Sequence, residues 1–276
     1  MKTLVTHISP DLDAIASCWL IKRFLPGWNE AEIKFVNSGT TLDKKPPDEN
    51  PNIIHVDTGL GKFDHHQTNE YTSATKLVYE YLLEKDIISQ KLSIPLLKLV
   101  TFVNETDHFA EVNYPEPSSD KYDCCLHQMV KGVETIKNGN ETMEIVFILL
   151  DSILNIFKNK VRAEKEIKQG FVFKSKWGKS LVMETKNEEA IKLAQKIGYT
   201  LVARKDPEKG YIRIKTLPDK KYDLTPLYNK LVSEDKKATW FLHISKNMLL
   251  NGSSSNSDSI PSYISIQRLI ELIKNI

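Results

Sequence analysis

HISPDLDAIAS, residues 7–17, is the stretch that decides how the rest of the chain is read. It follows the run Thr3–Thr6 and precedes Ile15, Trp19, Ile21 and Leu25, apolar residues near helical spacing, before Pro26 and Gly27. That order predicts a short strand, a loop opened by Pro10 and Asp11, and a helix. The loop then carries His7, Asp11 and Asp13 at the carboxyl end of a strand. Carboxylates and imidazoles are ligands for divalent ions of the Mn²⁺ or Mg²⁺ type. An N-cap Asp beside a stray histidine is the ordinary alternative, and this motif alone does not choose between them.

More such groups follow in order. Asp57 closes the apolar run NIIHVD and precedes Thr58-Gly59; Asp64, His65 and His66 lie in FDHHQ; Asp107 lies in NETDHF. Each has an ordinary reading of its own, as a turn residue, a surface histidine pair or a surface acid beyond a helix. Together they would need four coincidences in sequence order. Several carboxylates and imidazoles, each where a strand or helix meets a loop, suggest a two-metal site. Two ions about 3.5–4 Å apart clamp the attacking and leaving oxygens of a phosphoryl displacement.

The remaining pattern is that of an α/β protein. EIKFVNSG (32–39) and NIIHVDTG (52–59) read as further strands, the second apolar on both faces as in a parallel sheet. Helices are expected from Ser73, over about 91–104, and over about 139–169, while 113–125 reads as loop. Then come strands in FVFKS (171–175), SLVMET (180–185), TLVARK (200–205) and GYIRIKT (210–216), with DPEKG (206–210) as a hairpin turn. Helices are expected in NEEAIKLAQKIG (187–198) and IQRLIELIKNI (266–276). The expected organisation is a parallel-sheet metal-binding domain at 1–135, a helical connector at 136–169 and a smaller α+β domain at 170–276. The active site is expected in the cleft between the domains, because open α/β sheets place sites outside the carboxyl ends of their strands.

The 276 residues carry a net charge of +2 at pH 7, too mild to argue for nucleic acid from bulk charge alone. Cys18, Cys124 and Cys125 form neither a disulfide framework nor a CxxC pair, and adjacent cysteines near His127 have poor geometry for one ion. The N-terminus turns polar too early for a signal peptide. The longest apolar stretch, MEIVFILLDSILNIF (143–157), contains Glu144 and Asp151 and is too short to span a bilayer. A soluble cytoplasmic protein without a membrane partner is therefore expected, and a homodimer is compatible with the sequence.

HISPDLDAIAS, VDTG, DHH and SATKLVYE (73–80), in this order over about 110 residues, resemble the successive motifs of the DHH phosphoesterase superfamily. RecJ-type exonucleases, nanoRNase-type oligoribonucleases and family II pyrophosphatases are members. The C-terminal third, in FVFKSKWGKSLVMET, VARKDPEKGYIRIKT and WFLHISKNMLLNGSSS, resembles the tail of the melanocyte-proliferating-gene exonuclease family. A GGGHxxAAG substrate-binding sequence is missing, and LLNGSSSNSDSIPS (249–262) stands as its replacement.

The resemblance implies residue roles. His7 and Asp11 would bind one metal, Asp13, His65 and Asp107 the second, and Asp57 both. Asp64 would orient a ligand histidine. His66 would face the scissile phosphate as charge stabiliser or proton donor, and Mn²⁺ would be the favoured ion, with Mg²⁺ as substitute. Substrate contacts are expected from Arg204 and Arg213 on the hairpin arms, with Lys205 and Lys215 nearby, and from Asn251, Gly252 and Ser253. A solvated sheet face is the ordinary alternative for the basic residues. His243 reads as a satisfied core histidine. The function implied is a divalent-metal-dependent phosphodiesterase, an exonuclease or oligoribonuclease hydrolysing RNA, single-stranded DNA or short oligonucleotides through a two-metal-activated water. The alternatives are a small-molecule phosphohydrolase acting on pyrophosphate, a cyclic dinucleotide or a nucleoside bisphosphate, and a non-catalytic nucleotide-binding module.

Overall fold

Strand β1 (Thr3–His7) is buried along its length and only half-buried at His7, its last residue. It pairs in parallel with β2 (Glu32–Val36) on one side and β3 (Ile53–His55) on the other, giving the order β2-β1-β3. Parallel neighbours need a crossover, and α1 (Leu12–Phe24) supplies the one between β1 and β2. His7 therefore leaves the carboxyl edge of the central strand, in register with Val36. The structure is a computed structural model that describes residues 1–252 and 258–276.

The chain divides into two compact units, Met1–Lys158 and Asn159–Ile276. In the first, α2 (Ala74–Glu84) is capped by the Ser73 hydroxyl, which accepts from the Lys76 N–H. Next come α3 (Gln90–Asp107), α4 (Leu126–Glu134) and α5 (Gly139–Gln169). Trp19, Leu82, Leu99 and Leu150, one from each of α1, α2, α3 and α5, are fully buried in one cluster with Leu4 of β1. The Trp19 indole N–H donates to Asp151 at 3.0 Å, so the largest apolar group of the core keeps a partner for its one donor. The helix expected over 139–169 is α5, and the division between the units falls inside it. Helix α3 continues past the expected Asn104 to Asp107, so that acid belongs to the last turn.

The second unit holds a mixed sheet of β4 (Phe171–Ser175), β5 (Gly178–Glu184), β6 (Leu201–Lys205), β7 (Ile212–Thr216), β8 (Trp240–Leu242) and β9 (Met248–Asn251). Its order is β4-β5-β6-β7-β9-β8. Only β5 and β6 run parallel, joined by α6 (Glu189–Lys196); every other pair is antiparallel. DPEKG is a hairpin turn, as expected: the Asp206 N–H donates to the Tyr211 carbonyl and the Gly210 N–H to that of Asp206. α7 (Thr225–Glu234) and α8 (Ile266–Lys274) complete the unit. No helix of the described residues is long and apolar enough to cross a membrane.

Candidate metal centre

Local backbone needs bring the acids together. Asp11 is the N-cap of α1, its carboxylate accepting from the Ala14 N–H at 3.0 Å, so the capping role holds whether or not the residue also binds a cation. Asp13, in the first turn of that helix, is 2% exposed. Its two carboxylate oxygens accept from the Ala74 N–H at 2.7 Å and the Thr75 N–H at 2.9 Å, at the start of α2. The Thr75 hydroxyl donates to the Asp13 carbonyl at 3.0 Å. A helix N-terminus stabilises a carboxylate placed there, which gives the SAT stretch its physical role.

Asp57 sits just past β3 in left-handed backbone, φ 54°, and its N–H donates to the Phe63 carbonyl at 2.9 Å. Asp tolerates that conformation better than most residues. Gly59 follows at φ +83°, where a Cβ would come 2.8 Å from Thr41 Cγ2. The tight loop returns the chain so that His65 and His66 face Asp57.

The side chains then meet as three groups, each able to hold a cation with ligand atoms within 4.8 Å of one another: His7, Asp11 and Asp57; Asp13, His65 and Asp107; and Asp57, His65 and His66. His7 Nε2 is 3.3 Å from Asp57 Oδ2, and its Nδ1 is 3.0 Å from the Ile8 carbonyl, which fixes the ring. His65 Nε2 lies 3.4 Å from Asp57 Oδ1, 3.6 Å from Asp107 Oδ2 and 3.8 Å from Asp13 Oδ2. Asp57 Oδ1 and His65 Nε2 are buried, yet neither has a hydrogen-bond partner among the described residues. Buried polar atoms without partners are costly, and a shared cation would satisfy both. The donor set of imidazole nitrogens and carboxylate oxygens fits Mn²⁺ or Mg²⁺.

Electrostatics agree with this. Burial, with the neighbouring charges of Asp57 and Asp107, pushes Asp13 up to about 8. Burial raises Asp107 to about 6, and it raises Asp11, helped by Asp57. The Asp57 carboxylate, more than offsetting burial, lifts His65 to about 9. Burial works against a charged His7, but Asp57, the Ile8 carbonyl and Asp11 together lift it to about 9. Burial opposes the charged form of Asp57 as well; its two histidine neighbours outweigh that and hold it low. Crowded carboxylates thus retain protons that a divalent cation would displace.

Asp64 has a different partner from the one expected. It is 2% exposed, and its Oδ1 accepts from His66 Nδ1 at 2.7 Å and from the His66 N–H at 3.1 Å, while Oδ2 accepts from the Leu60 N–H at 2.7 Å. It orients His66 rather than His65. The His66 side chain is 60% exposed, so its Nε2 is left for a ligand.

The residues expected to bind substrate lie in the second unit. Arg204 is 6% exposed and donates to the Thr185 carbonyl and to Glu188, while Arg213, opposite it on β7, donates to the other oxygen of Glu188 at 2.7 Å. Asn251 is fully buried, and its amide donates to the Thr239 and Ile260 carbonyls. Gly252 has positive φ and packs on the Tyr211 ring. Ser253 lies outside the described residues. His243 is half-buried and hydrogen-bonded to Ser245. His55 holds two loops, accepting from the Leu42 N–H and lying 3.0 Å from the Pro47 carbonyl.

Residues 4–157 match the family model described as ChrB, C-terminal domain, and the chain belongs to that family. That match ends where the first unit ends, so it does not bear on the exonuclease-like tail. Among solved structures, the chain is similar to the pGpG-specific phosphodiesterase PggH from Vibrio cholerae, with 15% identity and a TM-score of 0.33 over 93% of this chain and 94% of that one. It is similar to an uncharacterized protein from Helicobacter pylori G27, with 16% identity and a TM-score of 0.29 over the whole of both chains. RecJ from Thermus thermophilus, in complex with Mg²⁺, gives 9% identity and a TM-score of 0.34 over 99% of this chain and 49% of that one. No curated protein matches the chain in sequence.

Proposed function

We propose that this chain is a metal-dependent phosphodiesterase of DHH type, acting on short oligonucleotides or on the ends of RNA or single-stranded DNA. The observation that carries the reading is the buried, unpartnered pair Asp57 Oδ1 and His65 Nε2 at the centre of a cluster of acids and histidines. In this reading His7 and Asp11 would hold one ion and Asp13, His65 and Asp107 the other, with Asp57 available to both. Two bound Mn²⁺ or Mg²⁺ ions supply Lewis acidity and lower the pKa of water.

The chain's own residues do the positioning. Asp13 is locked by the start of α2, and His7 by the Ile8 carbonyl. Asp64 fixes the His66 ring by its Nδ1, which leaves Nε2 to the substrate: an acceptor in the neutral ring, and a donor to a phosphate oxygen or to the leaving oxygen when the ring carries its second proton.

One observation favours a short substrate. The cavity formed by His7, Asp11, Asp57, His66 and their neighbours has a volume of about 480 Å³, and none of the described residues lining it is Lys or Arg. Such a space suits one small ligand, and its walls lack the lysines and arginines that would track a string of phosphates. A small-molecule phosphohydrolase is therefore the second reading.

The test is hydrolysis, with Mn²⁺, of an end-labelled RNA oligonucleotide, a dinucleotide and pyrophosphate, by the wild type and by Asp57→Ala. Cleavage of the RNA or the dinucleotide, absent in the variant, is expected. Cleavage of pyrophosphate alone would replace the first reading by the second, and turnover unaffected by Asp57→Ala would refute the site.

A further inference from the structure

The metal-binding acids face a second cavity. It has a volume of about 210 Å³ and shares Asp11 and Asp107 with the larger one. Asp13 also lines it; the rest of its wall is part apolar, from Leu12, Val103, Phe109 and Val130, and part polar, from His127, Thr106, Lys131, Glu111 and Glu134. Whole-ligand sites run from roughly 300 to 1,000 Å³, so this one has room for a single ring system.

Two of its residues are held in ways that stability alone does not explain. Phe109 comes two residues after Asp107, and it is 70% exposed with φ at 54°. An aromatic L-residue rarely takes left-handed backbone, and such strain is concentrated at functional sites. Here it accompanies an apolar ring left in solvent beside the acids. His127 is 9% exposed, and neither of its ring nitrogens has a hydrogen-bond partner among the described residues; its nearest acid, Glu111, is 3.7 Å away. Burial lowers its pKa, so the ring is neutral at pH 7 and offers one donor and one acceptor.

Building on the phosphodiesterase reading, we infer that the smaller cavity receives the base of the nucleoside joined to the scissile phosphate, with Phe109 as its stacking face and His127 at its polar edge. The scissile phosphate then lies where the two cavities share Asp11 and Asp107, and its second substituent occupies the larger one. Stacking on an aromatic side chain accepts any base, because every base has a π-face. The expected substrate class is a nucleotide diester without strict base identity, rather than a sugar-phosphate or an inorganic phosphate.

The test is calorimetric binding of AMP and of ribose 5-phosphate to the Mn²⁺-loaded protein, for the wild type, Phe109→Gly and Phe109→Trp. Glycine relieves the left-handed strain, so Phe109→Gly should melt no lower than the wild type. The wild type should bind AMP more tightly than ribose 5-phosphate by roughly 5- to 150-fold. Phe109→Gly should lose that difference through AMP alone, with metal content unchanged, and Phe109→Trp should keep it. Equal affinities in the wild type, no binding of either ligand, or an AMP preference that survives Phe109→Gly would each overturn the inference. Base-dependent binding without hydrolysis of any diester would uphold it while refuting the phosphodiesterase reading. Hydrolysis of a dinucleotide with equal binding of the two ligands would do the reverse.

Discussion

Replacing Asp64 by Asn keeps its shape and removes its charge, which isolates what the carboxylate does. Its two oxygens accept three hydrogen bonds: Leu60 N–H on one, and His66 N–H with His66 Nδ1 on the other. In the amide one oxygen becomes NH₂, so either the Leu60 donor or the His66 donors meet another donor. Losing one charge-assisted bond and leaving a buried donor unpaired costs about 2–3 kcal/mol. For a unit the size of Met1–Lys158, each kcal/mol moves the midpoint by about 2–4 °C. Scanning calorimetry of the metal-free variant should therefore show a fall of roughly 4–12 °C. Turnover should fall by about 10²–10⁴-fold, the range for a positioned proton donor. If Asp64 acts on turnover through His66, Asp64→Asn adds no further loss in a His66→Ala background. A midpoint within about 1 °C of the wild type, or losses that add in the double variant, would refute the assignment.

Two other outcomes follow from the same geometry. In the metal-free protein His7 and His65 are lifted to about 9 and Asp13 to about 8, all above their ordinary values. The native state then binds more protons than the unfolded chain between pH 6.5 and 9, so its stability should fall as pH rises through that window, by about 1.4 kcal/mol per pH unit for each excess proton. Melting of chelator-treated protein across the window measures this, and a midpoint that climbs would contradict it. In the second unit, Glu188→Ala leaves the Arg204 guanidinium buried without its carboxylate. Because Glu188 is itself more than half exposed, the expected loss is only about 1–3 kcal/mol of that unit's stability. Metal content should not change, and a variant that loses metal would show that Glu188 does more than pair with Arg204.

The parallel sheet and the candidate cluster were legible because three of its members sit at the end of an element whose apolar pattern is clear: His7 ends β1, Asp57 follows β3, and Asp107 ends α3. Less legible were features that depend on backbone geometry or on contacts distant in sequence. Asp64 meets His66, two residues on, through the local course of its loop, and nothing in DHHQ distinguishes that pairing from one with His65. Ser73 was legible as a helix start, but the Ala74 and Thr75 N–H groups on Asp13, a plain helix-terminus interaction, join residues far apart in sequence. The burial of Arg204 has a signal in the sequence: it follows Val202 by two residues, so it shares the strand face that Val202 buries beneath α6. β8, β9 and α7 were not anticipated, being short, and neither was α4, although its apolar residues keep a helical period. Phe109 had no sequence signal, since its exposure and backbone strain exist only in the folded chain.

The most direct measurement is titration of the metal-free protein with Mn²⁺ by calorimetry, with the bound metal counted independently, for the wild type and Asp57→Ala. Loss of a residue that merely orients a ligand costs about 10–100-fold in affinity. Loss of one that touches both ions should cost more. Two ions per wild-type chain are expected, both weakened by more than about 100-fold in Asp57→Ala. A wild type that takes up no Mn²⁺, or a variant that binds two ions as tightly as the wild type, would contradict this expectation.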